Sequence, residues 1–379
     1  MQTKIDDDEP SVTNRTKSCV IDRVAVTAAT IPTTSPESDG TLAWSQTTVV
    51  IVEIACDGFT GIGYTYADIS TAVLVESLLK KELEGRDAMD IPARWLDMLK
   101  AVRNLGRPGI ASMAISAVDI ALWDLKSKLL SLPAAKLLGA ARTSIAVYGS
   151  GGFTSYSDDE LQHQLAAWAA SGIRMVKMKV GRDPQRDTGR VQRARESIGN
   201  ETELFVDANG AYERKQALAL AYKFRELGVT WFEEPVSSDD LQGLRLLRDR
   251  GPAGMCIAAG EYGYDAGYFR RMLDAGAVDV LQADATRCGG VTGFLQADAV
   301  CAAHNIFLSA HTAPSIHLHV CCAAIRAIHL EYFHDHSHIE SLIFDGALKP
   351  VHGSLAPDLS RLGLGLEIRR DELARYRVN

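Results

Sequence analysis

Met175-Val176-Lys177-Met178-Lys179 opens a series in which a charged or ionisable residue closes a short apolar run. Asp207 follows Leu204-Phe205-Val206, Glu233 follows Trp231-Phe232, and Glu261 follows Ile257-Ala258-Ala259-Gly260. Asp284 and His311 continue the series, and one further step arrives at Glu340. The interval is roughly 25 residues, the length of one strand, one loop and one helix. Repeated this often, it predicts a β/α barrel whose chemistry-bearing side chains sit at the C-terminal ends of successive strands.

A barrel takes roughly 250 residues, so a chain of 379 should add a smaller second domain. That domain is expected at the front. Val20, Ile21, Val24 and Val26 suggest a strand, and Thr47–Ala55 with Gly61–Tyr66 flank Asp57-Gly58, a hairpin signal. Between these strands, residues 31 to 40 are rich in Pro, Gly and hydroxyl side chains, which predicts a long loop. Helical periodicity then runs through Met113, Ile115, Val118, Ile120, Ala121 and Leu122. The divisions expected are a polar tail at 1–17, an α+β capping domain at 18–140, an α/β barrel at 141–345, and a segment at 346–379 too short to fold alone. The barrel would start at Ile145–Ser150, and Ser157-Asp158-Asp159-Glu160 signals a capping box for its first helix.

Composition excludes several functions. Forty basic against 48 acidic residues give a net charge of −8, and no basic run could neutralise a phosphate backbone, so nucleic acid is not expected as a partner. No apolar run reaches the roughly 18 residues that span a bilayer, and the acidic N-terminus is unlike a signal peptide. A cytoplasmic protein with no membrane partner is expected. Seven cysteines without framework spacing predict reduced core thiols.

Asp207, Glu233 and Glu261, at the ends of three consecutive strands, would repel one another unless a cation held them. An all-oxygen set suits Mg²⁺ better than Zn²⁺; solvated acidic loop residues or helix N-caps are the plainer alternative. Lys177 and Lys179 share one face of the preceding strand. A second ammonium, a metal and burial would all lower the pKa of Lys179 toward that of a useful base, although alternating Lys also marks exposed strand edges. Asp284 and His311 end neighbouring strands, where a carboxylate would fix the imidazole tautomer. Lys179 and His311 then flank the three acidic strands from opposite sides.

These residues resemble the enolase superfamily, specifically its mandelate racemase subgroup. The matching motifs are Val176-Lys177-Met178-Lys179-Val180-Gly181, Asp207-Ala208-Asn209-Gly210, Glu233-Glu234-Pro235, Gly260-Glu261, Asp284 with Gly289-Gly290-Val291-Thr292, His311, and Ile339-Glu340. The resemblance implies a modified TIM barrel, (β/α)7β, capped by an N-terminal α+β domain, with the C-terminal segment returning to the cap. It implies one Mg²⁺ per subunit on Asp207, Glu233 and Glu261, taking a substrate carboxylate and stabilising the enediolate left by α-proton removal. A Lys or His base with Mg²⁺ is the general device of such sites. Lys179 and His311 would be the acid/base pair, with Asp284 orienting His311 and Lys177 acting on Lys179 and the carboxylate. Asn209 would touch substrate, as would Ser150. Glu340, protonated, would donate to the enediolate oxygen. Residues 31–45 and Tyr64–Ile69 would close the mouth, and a homo-oligomer, with the octamer among its states, is the family habit. His334-Asp335-His336-Ser337-His338 reads as a polar loop after the eighth strand, although alternating His could also bind a transition metal.

The leading activity is dehydration of a sugar acid to a 2-keto-3-deoxy acid, a hydro-lyase reaction, with racemisation or epimerisation of a 2-hydroxy acid as the rival. A Schiff-base aldolase would not need three metal carboxylates. A hydrolase barrel would want His ligands on strand one, and a non-catalytic barrel would have lost a motif. The polar composition of residues 33–41 favours a polyol substrate, and Glu37 and Asp39, if inward, favour an aldonate over an aldarate. Arg182 or Arg287 could instead hold a distal carboxylate.

Overall fold

The computed structural model describes residues 19–378; the tail read at 1–17 lies outside them. Strands β1 (Arg23–Ser38), β2 (Ala43–Cys56) and β3 (Phe59–Tyr66) form an antiparallel sheet whose fourth member is the C-terminal strand Arg377–Val378. Asp57 and Gly58 both have positive φ and turn the β2–β3 hairpin, as an Asp-Gly pair permits.

Residues 31–38, read from sequence as a loop, belong to β1. The ladder reaches Pro32↔Gln46, breaks, and resumes at Glu37↔Trp44. Pro32 and Pro36 lack the N–H that a regular ladder needs, so the chain bulges between them. Trp44 Nε1 donating to Glu37 Oε2 at 2.9 Å then re-anchors it. Asp39 Oδ1 closes the following turn by accepting from the N–H groups of Thr41 and Leu42.

The helix Ile110–Leu129 lies directly on β3. Gly61 and Gly63 allow that approach, for a Cβ at Gly63 would stand 2.1 Å from the Ala117 carbonyl oxygen. Gly63→Ala should cost about 2 to 3 kcal/mol by overpacking. Denaturant unfolding checks this, and unchanged stability would show that the helix can shift freely. The same helix ties cap to barrel. Its Asp119 accepts from Thr292 N and Oγ1, and its Ser116 Oγ accepts from Gly289 N. The Gly289-Gly290-Val291-Thr292 motif thus docks the cap.

Eight parallel strands follow: β4 (Ile145–Gly151), β5 (Met175–Lys179), β6 (Glu203–Asp207), β7 (Val229–Glu233), β8 (Cys256–Ala259), β9 (Val280–Ala283), β10 (Phe307–Ala310) and β11 (Ala327–Phe333). Pairing of β11 with β4 closes the barrel. The capping box at Ser157 and Glu160 starts the helix Asp158–Ala170.

Strand alternation builds the interior in layers. Phe205 and Trp231 face each other, rings 5.2 Å apart, and with Tyr148, Ala258 and Val280 they plug the barrel. Two residues on, the same strand faces present Asp207 and Glu233. The apolar plug is the floor of a polar chamber.

The C-terminal segment touches both domains. Ser354–Leu355 pairs with the base of β4, Leu364 N donates to Asp124 Oδ1 of the cap, and Arg377–Val378 pairs with Ala28 and Ala29. No disulfide joins the described residues, and Cys56, Cys288, Cys301, Cys321 and Cys322 are buried. No helix among the described residues is long and apolar enough to cross a membrane.

Candidate active site

Asp207 and Glu233 end β6 and β7, and Glu261 follows β8 after one glycine. Gly260 has φ 136°, and a Cβ there would meet the Gln282 carbonyl oxygen at 2.2 Å, so glycine is required to bring Glu261 over the barrel mouth. One oxygen from each of the three buried carboxylates lies within 4.8 Å of the others. Glu261 Oε2 is buried with no well-formed hydrogen bond. An all-oxygen donor set with a spare buried acceptor fits Mg²⁺.

Both lysines of β5 point into this cluster. Lys177 Nζ is 2.6 Å from Glu233 Oε1, 2.8 Å from Glu331 Oε1 and 3.5 Å from Asp207 Oδ2. Lys179 Nζ donates to Asp207 Oδ2 at 2.5 Å. The lowered Lys179 pKa read from sequence relies on a bound cation, and the protein groups taken alone act in the other direction. Burial pulls this ammonium down, but Asp207, Glu261 and Glu233 outweigh burial and the charge of Lys177, and hold it above its ordinary value. The neighbouring ammonium lowers the pKa in either case, and the net direction reverses only when the carboxylates are compensated.

Across the mouth, His311 Nδ1 is 2.9 Å from Asp284 Oδ2, and Asp284 Oδ1 accepts from Thr286 N and Oγ1 at 2.7 Å. His311 Nε2 faces Glu261 Oε2 at 3.2 Å and Glu331 Oε2 at 3.8 Å. Burial pulls the imidazole down, yet Glu261 and Asp284 raise it to about 9. Burial would raise Asp284, but its hydrogen bond to His311 holds it well below the carboxylate range.

Three sequence readings are corrected here. Glu340 is not at a strand end: it lies on the helix His334–Ile343 and accepts from Tyr64 Oη, Ser315 N and Ser315 Oγ. The whole connection from β10 to β11, helix Pro314–Ala323 and both its loops, is confined to residues 311–326, so β11 arrives earlier than the regular interval allows. The carboxyl that faces the chamber from β11 is Glu331, inward on the same alternation as His329. That alternation, His329-x-Glu331-x-Phe333, was the signal available in the sequence. Burial works against Glu331, but Lys177 holds it at about 2.

The second correction concerns the His-rich stretch, which is the first turn of that helix rather than a loop. His336 stacks on Tyr66 with ring centroids 3.4 Å apart, and Asp335 accepts from Thr47 Oγ1. No metal-holding group among the described residues includes these histidines. Third, Ser150 is buried beneath the chamber and donates to Glu331 Oε1 at 2.5 Å, so it positions that carboxylate.

Asn209 lines the chamber, in the left-handed region at φ 46°, with its Oδ1 buried and unpartnered. Thr312, just after β10, is likewise left-handed. Such backbone gathers where a site over-determines the chain. The chamber holds about 440 Å³, and its walls include Lys179, Glu261, His311 and Glu331 below and Trp44, Thr47 and Tyr66 of the cap above.

The family model for the mandelate racemase/muconate lactonizing enzyme N-terminal domain matches residues 23–139, and the enolase C-terminal domain-like model matches 160–372. L-talarate/galactarate dehydratase of Salmonella typhimurium is 33% identical over 83% of this chain and 81% of its own. A mandelate racemase/muconate lactonizing enzyme-like protein from Rubrobacter xylanophilus superposes with TM-score 0.93 at 55% identity, covering 95% of this chain and 100% of that one. A Streptomyces coelicolor racemase with bound magnesium superposes with TM-score 0.89 at 31% identity, over 95% of this chain and 100% of that one. With both domains matched and the ordered strand-end residues in place, the chain belongs to the mandelate racemase/muconate lactonizing enzyme family of the enolase superfamily.

Proposed function

We propose that this chain is a Mg²⁺-dependent hydro-lyase that converts a sugar acid to a 2-keto-3-deoxy acid. The observation that carries the reading is the placing of Lys179 and of His311 with its Asp284 on opposite sides of the acidic cluster, under a polar cap. Bound by Asp207, Glu233 and Glu261, Mg²⁺ supplies a Lewis acid for the substrate carboxylate, favouring loss of the α proton. Asn209 binds substrate. One of Lys179 Nζ and His311 Nε2 takes the α proton, and the other, protonated, delivers a proton to the β hydroxyl as its C–O bond breaks and water leaves. The enol that remains ketonises to product. Asp284 on Nδ1 leaves Nε2 as the working nitrogen of His311. Lys177 and Glu331 hold each other in place, and Glu331, ionised by that pairing, occupies the chamber wall without the donor role first read for Glu340.

The same two-sided arrangement would serve racemisation or epimerisation, by reprotonation on the opposite face. The polar walls favour the dehydratase, because an apolar 2-hydroxy acid would want apolar lining. The reading includes a symmetric homo-oligomer, with the octamer among the expected states, and a cytoplasmic location. Incubation of an acid-sugar library with enzyme and Mg²⁺, followed by proton NMR in deuterium oxide, should show a 2-keto-3-deoxy product. Inversion at the α carbon without such a product from any member would replace the dehydratase with the racemase.

A further inference from the structure

Resting on that reading, we propose that the site selects monocarboxylic polyhydroxy acids and rejects the matching diacids, and that Asp335 is a specificity residue that accepts hydroxyls of the distal chain. The roof of the chamber is acidic. Asp39, Asp68 and Asp335 all line it, with Asp335 only 3% exposed. The cations of the lining are Lys179, Arg287 and, when protonated, His311, and all three are engaged below, His311 with Asp284 and Glu261. Lys179 holds Asp207, while Arg287 lies 3.5 Å from Glu261 Oε1 and 3.6 Å from Asp284 Oδ2 and donates to the Glu261 carbonyl oxygen. Arg182 is exposed and lines a separate crevice beside Glu37 and Trp44.

A second carboxylate at the far end of a substrate would therefore be desolvated against carboxylates with no free cation among the described residues that line the chamber, which disfavours its binding. Hydroxyl groups meet the opposite situation, since every carboxylate oxygen is an acceptor. His336, 7% exposed on the same wall, has an Nδ1 with no protein partner. Burial holds His336 well below its ordinary pKa, so it adds no positive charge. Asp335 and His336 are consecutive residues at the start of one helix and both line the chamber, and Thr47 and Tyr66 clamp that helix to the cap.

Aldonate and aldarate pairs that differ only at the terminal carbon, such as gluconate with glucarate and galactonate with galactarate, test this. Each is incubated with the Mg²⁺-loaded enzyme in deuterium oxide, reading both α-deuterium incorporation and product. For accepted pairs, kcat/KM should favour the monoacid at least tenfold. Asp335→Asn should narrow that ratio at least tenfold, mainly through KM for the monoacid. Thr47→Val, which removes the hydroxyl that Asp335 accepts from and keeps the Asp335 charge, should leave the ratio in place. Equal or faster reaction of the diacids overturns the selectivity while leaving the dehydratase reading intact. Because exchange is read as well as product, a racemase outcome still measures the selectivity. An unchanged ratio in Asp335→Asn, or the same narrowing in Thr47→Val, overturns the role of Asp335. No exchange with any acid sugar overturns the selectivity together with the reading beneath it.

Discussion

Single replacements of the two proton-carrying groups, Lys179→Ala and His311→Asn, should each lower turnover by about 10³-fold or more. General acid/base groups contribute roughly 10² to 10⁴ each, and here neither has a substitute among the residues lining the chamber. Lys179 Nζ sits on Asp207, on the β5 side, while His311 Nε2 faces the chamber from the β10 side, 3.2 Å from Glu261. The two variants should differ in kind. The one that removes the base loses α-proton exchange with solvent deuterium, whereas the one that removes the acid retains exchange while losing elimination. Asp284→Asn should fall nearly as far as His311→Asn, because an amide can present the wrong group to Nδ1 and stabilise the wrong tautomer. Near wild-type turnover by both Lys179→Ala and His311→Asn on a confirmed substrate would show the assignment to be wrong.

Exhaustive chelation should abolish activity and lower the melting temperature, both reversed by Mg²⁺. The reason is electrostatic. Asp207, Glu233 and Glu261 are buried, and burial together with the charge of Asp207 raises Glu233 to about 8 in the metal-free protein. A cation bound by the folded state alone stabilises it by about 2.7 kcal/mol at a hundredfold excess over its dissociation constant. For a chain of this size that is a shift of a few degrees. Glu261→Gln should remove the Mg²⁺-dependent part of the shift, since it removes one ligand charge while keeping the side-chain volume. Full activity after chelation, verified by metal analysis, would sink the metal assignment.

The sequence by itself determined the barrel and its floor. Charged residues at strand ends recur with the length of a β/α unit, and strand alternation alone places Lys177 beside Lys179 on one face and Asp207 two residues beyond Phe205. Such local periodicities survive in any packing that buries the apolar partners. Tertiary structure decided what depends on residues distant in the chain. Glu331 replaced Glu340 because the short connection 311–326 between β10 and β11 broke the interval. The stretch 31–38 became strand because β2, rather than local propensity, supplied its hydrogen bonds. His336 found Tyr66, and Asp335 found Thr47, across 270 and 288 residues of chain. Whether a carboxylate such as Asp39 or Asp335 faces substrate, solvent or a backbone turn depends on how the cap meets the barrel, and no interval within the chain encodes that meeting.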